Sequence, residues 1–294
     1  MENRTFEEAR GDRPDAVALR KQFEESGYVV LRGFLPREVV DNAISSMKQL
    51  VDETAAKLAA DGLIADTLAE EPFETRLYTL YRDRLERAPK SFRKELHLPG
   101  LFGLFFHPPL LDVVESLLGD EIRLYPNYTA RPKLPGWEGT QVLWHQDAGY
   151  TESIKVDASA SVDALRMVNV WAPLVPATKE NGCMQFIPGT HKLGTVPHEK
   201  REHYLQIADA YLSPRLAEAT DIELDPGDVV LFNNLLFHQG QPNATERIRW
   251  SIDWRYQDAG QPTYRADRGH LARSRTHPDD VIGNAAEWVR VGWQ

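Results

Sequence analysis

From Arg247 to Tyr256 the chain reads Arg-Ile-Arg-Trp-Ser-Ile-Asp-Trp-Arg-Tyr, with a large apolar residue at every even position and Arg, Arg, Ser, Asp and Arg at the odd ones. A period of two belongs to a β-strand, whose side chains point alternately to its two faces. One face must pack against a core while the other presents charge, so this part of the chain is committed to a sheet with one polar face. The preceding segment is of the same kind. Ile222-Glu223-Leu224, Asp225-Pro226-Gly227-Asp228 and Val229-Val230-Leu231-Phe232 read as strand, turn and a second strand leading to Phe237-His238-Gln239-Gly240, because Pro and Gly supply turn geometry and β-branched and aromatic residues favour strands. Residues 240–246 are polar and turn-rich. The strand from Arg247 is therefore expected to pair by hairpin with the strand carrying His238, lining a polar interior with Arg249 and Ser251.

Upstream lies Trp144-His145-Gln146-Asp147. His and Asp two apart on an extended segment project the same way, so both can reach one metal ion from a single strand end. His238 supplies a third donor from elsewhere in the chain. Two imidazoles and one carboxylate are the donor set of the facial triad that holds Fe(II) and leaves positions open for substrate-derived groups and oxygen. By itself the His-x-Asp spacing is a short motif that recurs in unrelated chains. An arginine on the polar strand face has a use beside such a site. Two parallel charge-assisted hydrogen bonds fix the distal carboxylate of a cosubstrate whose 2-oxo acid end chelates the metal. Arg247, Arg249 and Arg255 all occupy odd positions of the strand, and parity does not choose among them.

With these pieces the chain resembles the phytanoyl-CoA dioxygenase-like branch of the Fe(II)- and 2-oxoglutarate-dependent oxygenases. The resemblance is carried by Trp144-His145-Gln146-Asp147, Val170-Trp171-Ala172-Pro173-Leu174, the run from Glu180-Asn181-Gly182-Cys183 to Pro188-Gly189-Thr190-His191-Lys192, Pro226-Gly227-Asp228, His238 and Arg249. The opening from Phe23 to Leu35 is similar to the family's first helix-to-strand unit, and the likeness runs from about residue 18 to about residue 256. It implies that His145, Asp147 and His238 bind Fe(II) and act in catalysis, and that Arg249 clamps the carboxylate of 2-oxoglutarate. Trp171, Asn127, Arg131 and Ser251 are further candidates to face the cosubstrate. The family commonly has Lys-Pro after such an Asn, whereas this chain reads Ala130-Arg131-Pro132, so the second carboxylate contact stays open. Members that halogenate carry a small residue in place of the aspartate; Asp147 therefore favours hydroxylation, or a related two-electron oxidation, with O2 consumed and succinate and CO2 released.

The fold implied is mostly β with flanking helices, a double-stranded β-helix of the jelly-roll, cupin-like kind. A chain of 294 residues, 42% hydrophobic and 27% charged, suits one sizeable domain. Its expected parts are an N-terminal helical support over 1–120, a β-helix core over about 121–256 and a tail over 257–294. Apolar residues at three and four spacing predict helices over Asp15 to Ser26 and Pro36 to Leu63, and a short one over Leu110 to Leu118 ending at Gly119. Between Leu63 and His97 the cations Arg76, Arg82, Arg84, Arg87, Lys90, Arg93 and Lys94 read as a solvated face, or as a lid over an anionic substrate. The loop from Gly149 to Leu165 is expected to shape the substrate pocket, and the tail from Gln257 to Gln294 to close over its opening.

A formal net charge of −10 argues against nucleic acid as a general partner. The single cysteine, Cys183, permits no intramolecular disulfide and suits reducing cytosol as a small core residue. The N-terminus shows no basic-plus-apolar signal, Leu101 to Leu118 is interrupted by His107 and two prolines, and the terminal Val-Gly-Trp-Gln is not a peroxisomal address. The expectation is a cytoplasmic enzyme, monomer or homodimer, with a small-molecule, anionic substrate and no membrane. His191 reads as capping its turn, and His97, His107, His198, His203, His270 and His277 as surface or satisfied core residues. A zinc-dependent hydrolase would also use two His and one Asp but needs a separate general acid or base, and a non-catalytic β-helix binding protein would keep the fold alone.

Overall fold

The computed structural model describes residues 15–201 and 204–293; His203, Gln294 and the segment before Asp15 lie outside the described residues. Helix α1 (Ala16–Ser26) starts at Asp15, whose side chain accepts from the Val17 N–H, and stops at Gly27 in the left-handed conformation, the residue that adopts a positive φ at least cost. It leads into β1 (Tyr28–Leu31), as the expected helix-to-strand unit. Then come α2 (Arg37–Ala60), α3 (Phe73–Tyr81), α4 (Pro99–Phe105) and α5 (Pro108–Leu118). Pro108 and Pro109, which break the apolar stretch, stand at the first turn of α5, as Pro99 does in α4, where a missing N–H costs nothing.

Among the described residues, two main sheets follow. The larger has the order β1, β10 (Val229–Asn233), β5 (Met167–Pro173), β12 (Arg249–Asp258), β2 (Ile122–Leu124), β13 (His270–Arg273), with β3 (Thr129–Lys133) also pairing β12. The smaller has the order β4 (Val142–His145), β11 (Phe237–Gly240), β6 (Met184–Ile187), β9 (Thr220–Ile222); β7 (His198–Lys200) and β8 (Leu205–Ile207) form a separate ribbon. Pairing throughout is antiparallel, and the chain passes repeatedly from one sheet to the other, as a double-stranded β-helix requires.

The period-two reading holds on β12. Trp250, Ile252, Trp254 and Tyr256 are fully buried in the large core that joins this sheet to α2, α4 and α5, each contributing about 2 to 3 kcal/mol of burial. The odd positions Arg249, Asp253 and Arg255 turn to the inner cavity. Strands β5 and β10 obey the same rule: Val168, Val170, Val229 and Leu231 join the helix-side core, while Trp171, Val230 and Phe232 join the core between the sheets.

Two expectations are corrected. β12 does not form a hairpin with the His238 strand: β12 pairs β5, β3 and β2 in the larger sheet, whereas β11 pairs β4 and β6 in the smaller one. Residues 241–248 are a crossover, and the turn after β9 is another, since β9 and β10 also lie in different sheets. Alternation fixes which face of a strand is polar and says nothing of which sheet it joins. Nor does the tail close over the cavity. After a β13 edge strand it forms α8 (Ala285–Val291), which buries Trp288 with its indole N–H donating to the Leu96 carbonyl at 3.0 Å. The tail is a layer on the helical side, driven there by Trp288.

Candidate metal centre and active site

His145 closes β4, Asp147 opens helix α6 (Asp147–Ile154), and His238 lies on β11 directly opposite His145 in the ladder. Asp147 is thus presented by a helix start after Gln146 rather than by the strand itself. One ligand atom from each residue falls within 4.8 Å of the others, and all three residues are buried. Both imidazoles are oriented from behind: Nδ1 of His145 donates to the Leu143 carbonyl at 2.7 Å, and Nδ1 of His238 to the Leu236 carbonyl at 2.8 Å. This fixes the tautomer that leaves Nε2 as a donor to metal. Burial, reinforced by His145, pushes His238 down to about 3, so it is a neutral imidazole at physiological pH.

The same cavity is lined by Lys133, Arg131, Arg249 and Arg255, with Trp171, Phe232 and Met184 as apolar wall. Arg249 is 2% exposed; its guanidinium donates to the Ser251 hydroxyl and to the Gly182 carbonyl at 3.1 Å, and its Nε is buried without a partner. Trp171 lies 5.2 Å from that guanidinium, a cation–π distance. Arg247 is exposed and pairs with Glu74 on the surface, so the structure separates the arginines that parity left equal. Ser251 is buried behind Arg249 and does not line the cavity. Arg131 does line it, with Nε donating to Asp253 at 2.7 Å. Asn127 does not: its carbonyl supports Arg255 at 2.8 Å and its side-chain oxygen is buried without a partner.

Three contributors escaped the sequence reading. Lys133, aligned with Arg249 across the ladder, is 3% exposed and donates to the Gly240 and Thr140 carbonyls. Burial, and then Arg249 beside it, hold its ammonium well below the usual lysine range, which marks a place where an anion is wanted. Parity could have found it, because Lys133 shares a face of β3 with Arg131. Asn169, on the Trp171 face of β5, donates to Asp147 at 2.7 Å and was legible by the same count. Tyr204 enters the lining from beside β8, and no sequence signal marked it.

The loop from Gly149 to Leu165 contributes no lining residue. Its first residues complete α6, which ends at Ile154, and the rest is irregular apart from a short turn at Val162–Ala164; the Tyr150 ring lies 5.2 Å from the His145 ring. Of the cations between Leu63 and His97, Lys90 alone borders the cavity. Arg82, Arg87, Arg93 and Lys94 are exposed, and Arg76 is buried against Asp52 and the Thr67 carbonyl. Cys183 is a buried free thiol just before β6. His191 turns to the Glu24 carbonyl at 3.1 Å, and His198 accepts from the Gln146 N–H at 3.1 Å, so neither adds to the triad.

Fold and site together define a double-stranded β-helix protein with a two-histidine, one-carboxylate metal centre beside buried cations. The model of the phytanoyl-CoA dioxygenase family matches residues 23–251, and the chain belongs to that family. It is 30% identical over 258 residues to 1-deoxypentalenic acid 11-beta-hydroxylase of Streptomyces arenae, covering 83% of this chain and 82% of that protein. It is 26% identical over 254 residues to ectoine dioxygenase of Sphingopyxis alaskensis, covering 80% and 73%. Among solved structures, EctD from S. alaskensis with 2-oxoglutarate and 5-hydroxyectoine superposes with a TM-score of 0.60 at 20% identity over 95% of this chain and 88% of that one. The non-heme monooxygenase ThoJ gives 0.57 at 22% over 87% and 84%. The protein is accordingly a 2-oxoglutarate-dependent non-haem iron dioxygenase acting on small molecules.

Proposed function

We propose that the protein hydroxylates an unactivated C–H bond of a small anionic metabolite, with His145, Asp147 and His238 as the iron ligands. The observation that carries the reading is the convergence of those three buried donors in one cavity with Lys133 and Arg249, two buried cations that face each other across the ladder. The donor set fits ferrous iron, being two neutral imidazoles and one carboxylate with room left on one side. When bound, Fe(II) and 2-oxoglutarate supply the oxygen activation, with one atom of O2 going to succinate and the other to the substrate.

The protein's own part is positional. Arg249 and Lys133 take the distal carboxylate of 2-oxoglutarate, and Trp171 fixes the plane of the guanidinium. Met184, Phe232 and Trp171 exclude water from that end, which strengthens each charge-assisted bond. Arg131 and Lys90 also border the cavity, and Arg93 is close enough to feel the charge of Arg131; this excess of positive charge suits a carboxylate or phosphate-bearing substrate. Hydrolysis is disfavoured by a specific observation. The carboxylates lining the cavity are Asp147 and Asp253, and although burial raises Asp253, Arg131 and Arg255 outweigh it and keep it ionised below the usual range. Among the described residues, neither lining carboxyl is free to exchange a proton.

Adding Fe(II) and 2-oxoglutarate without oxygen should produce the weak visible charge-transfer absorbance of a chelated 2-oxo acid. The band should vanish in His238→Ala, and His145→Ala, Asp147→Ala and His238→Ala should each abolish substrate-dependent succinate release. Full turnover in any two of them would refute the ligand assignment.

A further inference from the structure

The two oxygens of Asp147 are treated differently. Oδ2 receives three N–H donors: Nδ2 of Asn169 at 2.7 Å, Nε of Arg255 at 3.0 Å and Nη2 of Arg255 at 2.7 Å. Oδ1 receives none of these and lies 3.6 Å from Nε2 of His145. A carboxylate oxygen offers about two lone-pair directions, so Oδ2 is saturated and Oδ1 alone remains for a metal. The clamp is itself braced. Arg255 Nη1 donates to Oδ1 of Asp253 at 3.0 Å and to the Asn127 carbonyl at 2.8 Å, while Oδ2 of Asp253 takes Nε of Arg131. Arg255, Asp253 and Asp147 are all under one-tenth exposed, so water does not compete for these bonds.

We propose that Arg255, with Asn169, is a positioning residue that restricts Asp147 to one-oxygen ligation through Oδ1. The inference rests on the iron-ligand reading above. A carboxylate free to turn could chelate through both oxygens and occupy a position that the oxidant needs. Arg255 prevents the turn because its planar fork spends two donors on one oxygen while its third nitrogen is tied to Asp253, a geometry that lysine cannot reproduce. The sequence pattern of β12 placed Arg255 on the polar face as a rival for the cosubstrate; the structure assigns it to the metal ligand instead.

Nitric oxide binding to the anaerobic Fe(II)–2-oxoglutarate form tests this, read by the half-integer-spin electron paramagnetic resonance signal of the iron nitrosyl. The wild type should give both the charge-transfer absorbance and the nitrosyl signal. Arg255→Gln, Arg255→Lys and Asn169→Leu should keep the absorbance, with nitric oxide affinity lowered by about tenfold to a hundredfold in the arginine variants, the range for second-layer changes at metal sites, and less in Asn169→Leu. Wild-type nitric oxide affinity in the folded arginine variants would overturn the clamp. If Arg255→Gln fails to fold by circular dichroism, Arg255→Lys and Asn169→Leu carry the test, and unchanged affinity in both overturns it. Absence of the charge-transfer band in the wild type would instead refute the iron reading on which the clamp rests.

Discussion

At the scale of single residues, the site is a sorting of charges by what each one faces. Arg247, Arg249 and Arg255 share one face of one strand pattern, yet Arg247 meets Glu74 in solvent, Arg249 lines the cavity and donates to the Gly182 carbonyl, and Arg255 holds Asp147. Burial lowers Arg249 to about 10 and leaves its Nε without a partner, so an incoming carboxylate supplies what the protein withholds. Arg249→Ala should therefore raise the apparent 2-oxoglutarate requirement by about 2 to 3 kcal/mol of lost binding. Arg247→Ala should leave it unchanged within about 0.5 kcal/mol, as expected of an exposed pair. Succinate release titrated against 2-oxoglutarate measures both, and equal sensitivity would show that the strand register is read wrongly. Spacing and resemblance singled out His145, Asp147, His238 and Arg249, and the structure brings these four into one cavity. Lys133 and Asn169 sit on strand faces that the same period-two count reaches, but their partners Arg249 and Asp147 come from other strands and elements.

At the scale of elements, the crossover segments decide what the strands bring together. Gly182, in the turn between β5 and β6, has φ +88°, and a Cβ there would meet the Gln241 carbonyl oxygen at 2.3 Å and the Pro242 carbonyl oxygen at 2.9 Å. Its own carbonyl accepts from Arg249. One residue thus pins the turn before β6 to the crossover after β11 and steadies Arg249. Gly182→Ala is expected to cost about 3 kcal/mol of stability, from positive-φ strain and the backbone clash together, and to weaken 2-oxoglutarate binding as well. Chemical denaturation and a 2-oxoglutarate titration measure the two effects, and an unchanged midpoint would contradict the crowding. The sequence singled out Asn181-Gly182-Cys183 only as part of the family resemblance, and it suggested a hairpin over the very crossover that Gly182 touches. Hydrogen-bond pairing between strands is a long-range choice, and no local pattern records it.

At the scale of the whole molecule, buried histidines couple stability to pH. His198 and His270 are each pushed down to about 4, chiefly by burial, then by His145 beside the first and His97 beside the second, against an ordinary value of 6.5. The unfolded chain takes up these protons first. The folded state's advantage is therefore intact above about pH 6.5 and is lost as the pH falls through about 4. His198 also accepts a hydrogen bond from the Gln146 N–H, which protonation would break between His145 and Asp147. The melting temperature should fall steadily between about pH 6.5 and about pH 4; a flat profile over that window would show these groups to be freely protonated in the fold.

The sequence by itself determined the local periods, the turn chemistry, the helical support and the donor set, because each depends on residues close together in the chain or on side-chain chemistry alone. The helices expected over Asp15 to Ser26 and Leu110 to Leu118 are found over Ala16–Ser26 and Pro108–Leu118, and the two faces of β12 follow the alternation. Only the tertiary structure decided that β11 and β12 lie in opposing sheets, that Asp147 rides on a helix start, that Trp288 carries the tail away from the cavity, and that Arg255 serves Asp147. These choices turn on which buried surfaces and which buried charges meet, and burial is a property of the assembled chain.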